Sequence, residues 1–305
     1  VKIGLLGTGP WAERTYGPAL SAHPEVEFTG VWGRRPEAAA ALADRFGIKA
    51  YSDADELIED SEAVAFALPP QVQAEHAVRA ATAGRHLLLE KPIGVDLADA
   101  RRVADAAARG GVASVVLFTL RFMPETAAWI TEQASLGGWF TARADWLAAV
   151  LTPNSGSPYG ASPWRQEKGA LWDVGPHALS LLLPILGDAT VTGAARGQFD
   201  TVHLTFRHTG GASSTATLGL TAPPAAGGVE VVLRGEHGVT GLPPQREGEG
   251  PVQALGRAVD ALLVSARTGQ PHACDVRFAL RVVEILAEAE RMLVEDRNSR
   301  PEREG

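Results

Sequence analysis

Cysteine is almost absent. Cys274 is the one thiol in 305 residues, which excludes an internal disulfide and any metal centre built on several thiolates. Such usage suits a reducing compartment. An excess of positive charge is missing as well. With 28 Lys and Arg against 36 Asp and Glu the net charge is −8, the wrong sign for a nucleic-acid or anionic-membrane surface, although local anion sites remain compatible with it. No uninterrupted apolar run approaches the length that spans a bilayer, and no basic-then-apolar leader pattern precedes the first strand. His23, His86, His208, His237 and His272 lack ligand spacing, so no metal is expected. The chain therefore reads as soluble and cytoplasmic, with a small molecule rather than a nucleic acid or membrane as its partner.

What is present is an alternation of short apolar runs and helical patterns. At 45% hydrophobic residues and this length, two domains are expected rather than one core. Residues 3–6, 26–32, 63–67, 86–89 and 112–117 read as buried strands, and 11–21, 36–46, 72–83 and 97–109 as the helices between them. Pro36 opens one helix and Gly47 closes it. Continuous apolar strands separated by helices predict an α/β domain over residues 1–120, a doubly wound parallel sheet covered on both faces. Beyond residue 121 the pattern changes. A helix over 124–135, a strand over 140–147, a Pro/Ser/Gly-rich loop over 152–163 and a helical run over 171–186 come first. Alternation then places Val202, Leu204 and Phe206 on one face and Thr201, His203 and Thr205 on the other, with Ala216, Leu218 and Leu220 repeating it. Helices over 252–267 and 276–294 and a frayed tail from Glu295 close an α+β second domain, residues 121–305. The long 152–163 loop suits a substrate-side role, and Trp129, Trp139 and Trp146 suit the core or a subunit interface rather than a sugar platform.

The run Gly7-Thr8-Gly9-Pro10-Trp11-Ala12 follows the first strand and opens the first helix. Two glycines permit a tight turn and close approach of backbone N–H groups to a pyrophosphate at a helix N-terminus, and Ala12 takes the third small position. A dinucleotide site is expected there. The second strand ends in Gly33-Arg34-Arg35 instead of the carboxylate that holds an NAD ribose, so NADP is preferred and NAD remains possible. A further strand ends in Glu90-Lys91-Pro92, which puts Lys91 at a carboxyl-terminal strand edge where ligands bind. Glu90 is expected to orient it. In the second domain Asp173-Val174-Gly175-Pro176-His177 precedes an apolar run. Either one helix face carries Asp173 and His177, or a helix starts near Pro176 with Asp173 just before it.

This combination resembles the family of glucose–fructose oxidoreductase and myo-inositol dehydrogenase over nearly the whole chain. Besides the motifs above, Leu68-Pro69-Pro70 with Glu75, Ala83-Gly84-Arg85-His86, Arg121-Phe122 and Trp164-Arg165 are similar to its landmarks. The resemblance implies Lys91, Asp173 and His177 as the catalytic set. It implies cofactor contacts from Gly7, Thr8, Gly9, Pro10, Trp11, Gly33, Arg34, Arg35, Leu68, Pro69, Glu90, Lys91, Trp164 and Arg165. It further implies a C-terminal domain with an open, mainly antiparallel sheet used for subunit contacts, in a dimer or tetramer. Gln71 and Gln73 stand where many relatives carry histidine near the nicotinamide, and Lys168 replaces a glycine. The expected activity is NAD(P)-dependent hydride transfer to or from a secondary alcohol or carbonyl carbon of a sugar, cyclitol or polyol. Reduction of a non-sugar imine, enone, tetrapyrrole or dihydrodiol, or a non-catalytic NADP sensor, is the alternative.

Overall fold

Apolar strands without alternation need cover on both faces, and the first six strands of the chain obtain it as one parallel sheet. The computed structural model describes residues 1–153 and 155–299. Its first sheet holds β1 (Lys2–Leu6), β2 (Glu27–Trp32), β3 (Lys49–Tyr51), β4 (Ala63–Phe66), β5 (His86–Glu90) and β6 (Ser114–Leu117) in the order β3-β2-β1-β4-β5-β6. In this order the connections reverse direction between β1 and β4, which opens a crevice at the carboxyl ends of those strands. Leu5, Leu6, Val64, Phe66, Leu87, Leu88 and Leu89 are fully buried in the sheet. Five helices lie between the strands: α1 (Gly17–Ala22), extended at its start by a π turn over Ala12–Tyr16, α2 (Pro36–Phe46), α3 (Ala54–Glu59), α4 (Pro70–Thr82) and α5 (Leu97–Gly110). Gly47 ends α2 at φ 65° in the left-handed region, as its position in the sequence predicts. The short β3 and α3 have no counterpart in the sequence reading, because three and six residues carry too little periodicity to register.

A second sheet follows α6 (Pro124–Leu136). It is built from β7 (Trp139–Leu147), β8 (Ala189–Arg196), β9 (Val202–His208), β10 (Ser213–Gly219), β11 (Gly228–Gly235) and β12 (Gly238–Gly241), ordered β12-β11-β7-β10-β9-β8. All its pairings are antiparallel except β7 with β10. Val202, Leu204 and Phe206 are buried while His203 and Thr205 are exposed, as the alternation predicts. Between β7 and β8 lie α7 (Pro163–Asp173) and α8 (Gly175–Leu186).

The chain does not divide at a single point after residue 120. Val1–Met123 forms one compact unit with Gln245–Val283, and Pro124–Pro244 forms the other with the described residues from Glu284 to Ser299. Helix α9 (Pro251–Thr268) lies against β5, β6 and α1, burying Leu255, Val259 and Leu262 completely. Helix α10 (Val276–Ser299) begins in the first unit and ends in the second. An amphipathic pattern reveals that a helix has an apolar face but not which sheet that face covers. Helix α10 also runs past Glu295, where fraying is expected; the tail after Ser299 lies outside the described residues.

One further expectation needs correcting. The segment Pro163–Leu186 does pass as a membrane span by length and composition, yet 83% of its apolar window is buried inside the protein. Gly169, at φ 63° and ψ −160°, also interrupts it as a helix. Its apolarity is used by the core of the second unit.

The placement of α9 yields a test. Leu262→Ala should lower the free energy of unfolding in urea by about 2–5 kcal/mol, the usual cost of emptying a fully buried leucine site. A change below about 1 kcal/mol would contradict the docking of α9 on the parallel sheet.

Candidate active site

In the first unit the loop after β1 is shaped by two close approaches. Gly7 adopts φ 130°, and a Cβ there would lie 2.3 Å from the Ala67 carbonyl oxygen, so only glycine fits. Its N–H donates to the Trp32 carbonyl at 2.8 Å. Gly33 at the end of β2 presses on Thr8, whose Cγ2 would stand 2.6 Å from an added Cβ. A Cβ on Gly9 would meet nothing within 4 Å, so this side of the loop is open. With Pro10 opening the helix, the loop has the open side and helix N-terminus that suit an anionic group. Arg34 and Arg35 are exposed just beyond β2. Leu68 and Pro69 lead from β4 into α4, whose N-cap is Pro69.

The helix after this loop carries an unusual turn. Trp11 and Tyr16 are five residues apart, which in an α-helix sets side chains about 140° apart. The π turn, closed by the Gly17 N–H on the Ala12 carbonyl, brings the two toward one side. Both reach the same oxygen, Glu90 Oε1: the Trp11 indole donates at 2.6 Å and the Tyr16 hydroxyl at 2.8 Å. Burial, reinforced by the charge and the hydrogen bond of Glu90, raises the Tyr16 pKa well above the ordinary phenol value. Glu90 thus directs this carboxylate oxygen at the cofactor-loop helix, a role the sequence reading did not assign it.

Of the two glutamines that stand where many relatives carry histidine, Gln73 is fully buried and Gln71 is exposed. Gln73 Oε1 accepts from the Glu90 N–H at 2.8 Å, and its Nε2 donates to the carbonyls of Glu90 at 2.8 Å and Pro92 at 3.3 Å. Lys91, half-buried between them, is joined to Pro92 by a cis peptide bond.

In the second unit Asp173 is the last residue of α7 and His177 sits in the first turn of α8, so the two do not share one continuous helix. The arrangement with a helix starting close to Pro176 is the one adopted. Gly175 between them packs closely, since a Cβ would lie 2.8 Å from Leu286 Cδ2 and the leucine would have to shift. Asp173, 6% exposed, accepts a hydrogen bond from Arg165 Nε at 2.9 Å. The Arg165 guanidinium lies over the rings of Trp164 at 4.6 Å and Tyr159 at 5.0 Å. The His177 ring stacks on Trp146 at 4.8 Å, 15° from parallel. Trp146 therefore belongs beside His177, whereas Trp129 and Trp139 are buried as expected. Lys168 replaces the glycine with a structural contact, meeting Glu290 Oε1 at 3.1 Å beside the Trp172 indole, which donates to the same oxygen at 3.0 Å. Among the described residues no group of three or more His, Cys, Asp or Glu is placed to hold a metal.

The sequence profile of the oxidoreductase family with an NAD-binding Rossmann fold matches residues 1–118. Over these residues, the parallel-sheet unit, the chain is similar to that family. A glucose-6-phosphate 3-dehydrogenase of Bacillus subtilis is 27% identical over 66% of this chain and 58% of its own length. A dTDP-3,4-didehydro-2,6-dideoxy-alpha-D-glucose 3-reductase of Streptomyces violaceoruber is 32% identical over 66% of this chain and 59% of its own. The matched stretch thus spans less than two thirds of these relatives. The crystal structure of a levoglucosan dehydrogenase in complex with NADH and levoglucosan superposes with a TM-score of 0.83 at 19% identity, covering 97% of this chain and 98% of that one. That likeness establishes the fold over both units, the parallel sheet and the mainly antiparallel one.

Glu90, Trp11 and Tyr16 were singled out or passed over in the sequence without any sign of their mutual contact; the spacing of five from Trp11 to Tyr16 carries meaning only once the π turn is known. The burial of Tyr16 generates a pH prediction. Unfolded tyrosine ionises near pH 10 and the folded group well above it, so the unfolded state loses its proton first. Stability should therefore fall as pH rises past about 10, by up to about 1.4 kcal/mol per unit from this group. Urea titrations of Tyr16→Phe should show a shallower alkaline decline; an identical slope would mean that Tyr16 does not hold its proton in the fold.

Proposed function

We propose that the chain is an NAD(P)-dependent oxidoreductase that interconverts a secondary alcohol and a carbonyl on a sugar or related polyol. The observation that carries the proposal is the loop from Gly7 to Trp11, which leaves its open side at the carboxyl edge of the parallel sheet, where Lys91 also follows the last residue of β5. The dinucleotide, when bound, supplies the hydride acceptor or donor at its nicotinamide ring. Gly7, Thr8, Gly9, Pro10 and Trp11 would hold the pyrophosphate, and Leu68, Pro69, Glu90, Lys91, Trp164 and Arg165 complete the cofactor-contacting set. Arg34 and Arg35, exposed just beyond β2, would meet a 2′-phosphate, so NADP is the preferred cofactor.

Lys91, Asp173 and His177 form the catalytic set. The ammonium of Lys91 polarises the reacting oxygen and stabilises its developing negative charge. An imidazole ordinarily titrates close to neutrality, which suits His177 to accept the hydroxyl proton in oxidation and return it in reduction. Its stacking on Trp146 fixes the plane of the ring. Arg165 keeps Asp173 charge-paired and in one orientation, so that its carboxylate can position the substrate or the histidine. The names of the similar proteins support a sugar as substrate, and the single buried cysteine accords with a cytoplasmic setting. The open face of the second sheet is assigned to contact between copies, in a dimer or tetramer.

Two measurements test this. Fluorescence titration should give a lower Kd for NADPH than for NADH, and Arg34→Ala should weaken NADPH by about tenfold or more while sparing NADH. Binding of neither nucleotide would sink the assignment. A panel of sugars, sugar phosphates and cyclitols, followed at the reduced nicotinamide band, should yield a substrate whose kcat falls by orders of magnitude in Lys91→Ala with cofactor Kd unchanged. Turnover only of imines or enones would move the chain to a non-sugar reductase.

A further inference from the structure

The contacts of Gln73 reach beyond its own helix. The parallel ladder between β4 and β5 ends at the pair Ala65 and Leu88. Alternate residues of a strand turn their backbone groups to the same neighbour, so Glu90, two residues after Leu88, presents its N–H and C=O where β4 no longer offers partners. Unpaired backbone groups at a half-buried position are costly, and the chain satisfies them with a side chain instead. The carboxamide of Gln73 supplies both an acceptor and a donor to Glu90, and its donor also reaches the carbonyl of Pro92. Its amide takes the place of the missing strand at the point where Lys91 leaves the sheet. Burying a glutamine completely costs side-chain freedom and demands a full set of partners, and the partners here are the residues on either side of one lysine.

We propose that Gln73 is a positioning residue for Lys91, holding the backbone of Glu90 and Pro92 so that the ammonium group is aimed at the reacting oxygen. The inference rests on the assignment of Lys91 made above. What Gln73 sets is the direction in which the Lys91 side chain leaves the strand. A displacement of about 1 Å at a reacting group can cost up to about a hundredfold in rate, so loss of this clamp should be visible in kcat.

Two variants separate positioning from packing. Gln73→Met keeps length and volume but removes every hydrogen bond; kcat should fall about tenfold or more at all pH values, with the Kd for NADPH within about twofold of wild type. Gln73→Glu offers a donor and an acceptor while its carboxyl is protonated, and sets a negative charge against two carbonyl oxygens once it ionises. Burial raises the pKa of such a carboxyl, so the ratio of variant to wild-type kcat should be close to one at low pH and fall as pH rises. A side chain that merely fills space would give no such pH-dependent ratio. Independently of turnover, the Glu90 amide hydrogen should exchange at least about tenfold faster in Gln73→Met. Wild-type kcat in both variants at every pH, or unchanged exchange at Glu90, overturns the proposal, even if the melting temperature drops. Should Gln73→Met fail to fold, Gln73→Glu read from low to high pH decides the question. Lys91→Ala, run alongside, separates the two assignments. An inactive Lys91→Ala with fully active Gln73 variants refutes positioning alone, whereas a fully active Lys91→Ala refutes the role of the lysine itself.

Discussion

Gly7 stands so close to the Ala67 carbonyl that its α-carbon can bear no side chain, and this contact ties the ends of β1 and β4 together at the point where the strand order reverses. The rest of the first unit's crevice follows from it. With those ends drawn in, Thr8 packs under Gly33, the first helix begins at Pro10, and its opening turn faces the end of β5. A larger residue at position 7 would push the loop away from β4.

Two side chains then anchor the end of β5 from different directions. Glu90 is bonded to Trp11 and Tyr16 on the cofactor-loop helix, and Gln73 on α4 takes the backbone. Cofactor loop and lysine turn are therefore one hydrogen-bonded assembly rather than neighbours by chance. In a low-dielectric surrounding such networks are rigid when fully satisfied and costly when broken. In the second unit the same economy recurs on different chemistry. Arg165 compensates the charge of the buried Asp173, and that guanidinium itself lies over the rings of Trp164 and Tyr159. His177 has its plane fixed by Trp146.

The residues proposed for the candidate site stand out in the sequence, but their neighbours do not. Glycines at 7, 9 and 33, the Glu90-Lys91-Pro92 strand end and the Asp173 to His177 segment stand out because their types are unusual for their positions. Gln73, Tyr16 and Trp146 do not, since a buried glutamine, tyrosine or tryptophan looks in sequence like any other core or surface residue. Gln73 stands where many relatives carry histidine, and nothing in the sequence shows that its amide serves the backbone of Glu90 and Pro92. The docking of α9 on the parallel sheet was equally hidden, as an apolar helix face is compatible with any apolar surface.

By itself the sequence determined the class of each domain. Strand runs without alternation require a sheet covered on both faces, alternating runs require one wet face, and glycines before a helix permit a phosphate loop; these consequences are local and follow from side-chain chemistry and backbone sterics alone. Only the tertiary structure decided which segments share a core and which groups meet across it. The return of 245–283 to the first unit, the convergence of Trp11 and Tyr16 on one carboxylate oxygen, and the closing of β5 by a glutamine from α4 are contacts between residues far apart in the chain. They depend on how buried polar groups find partners once the apolar faces have packed, and that selection has no signature in local spacing.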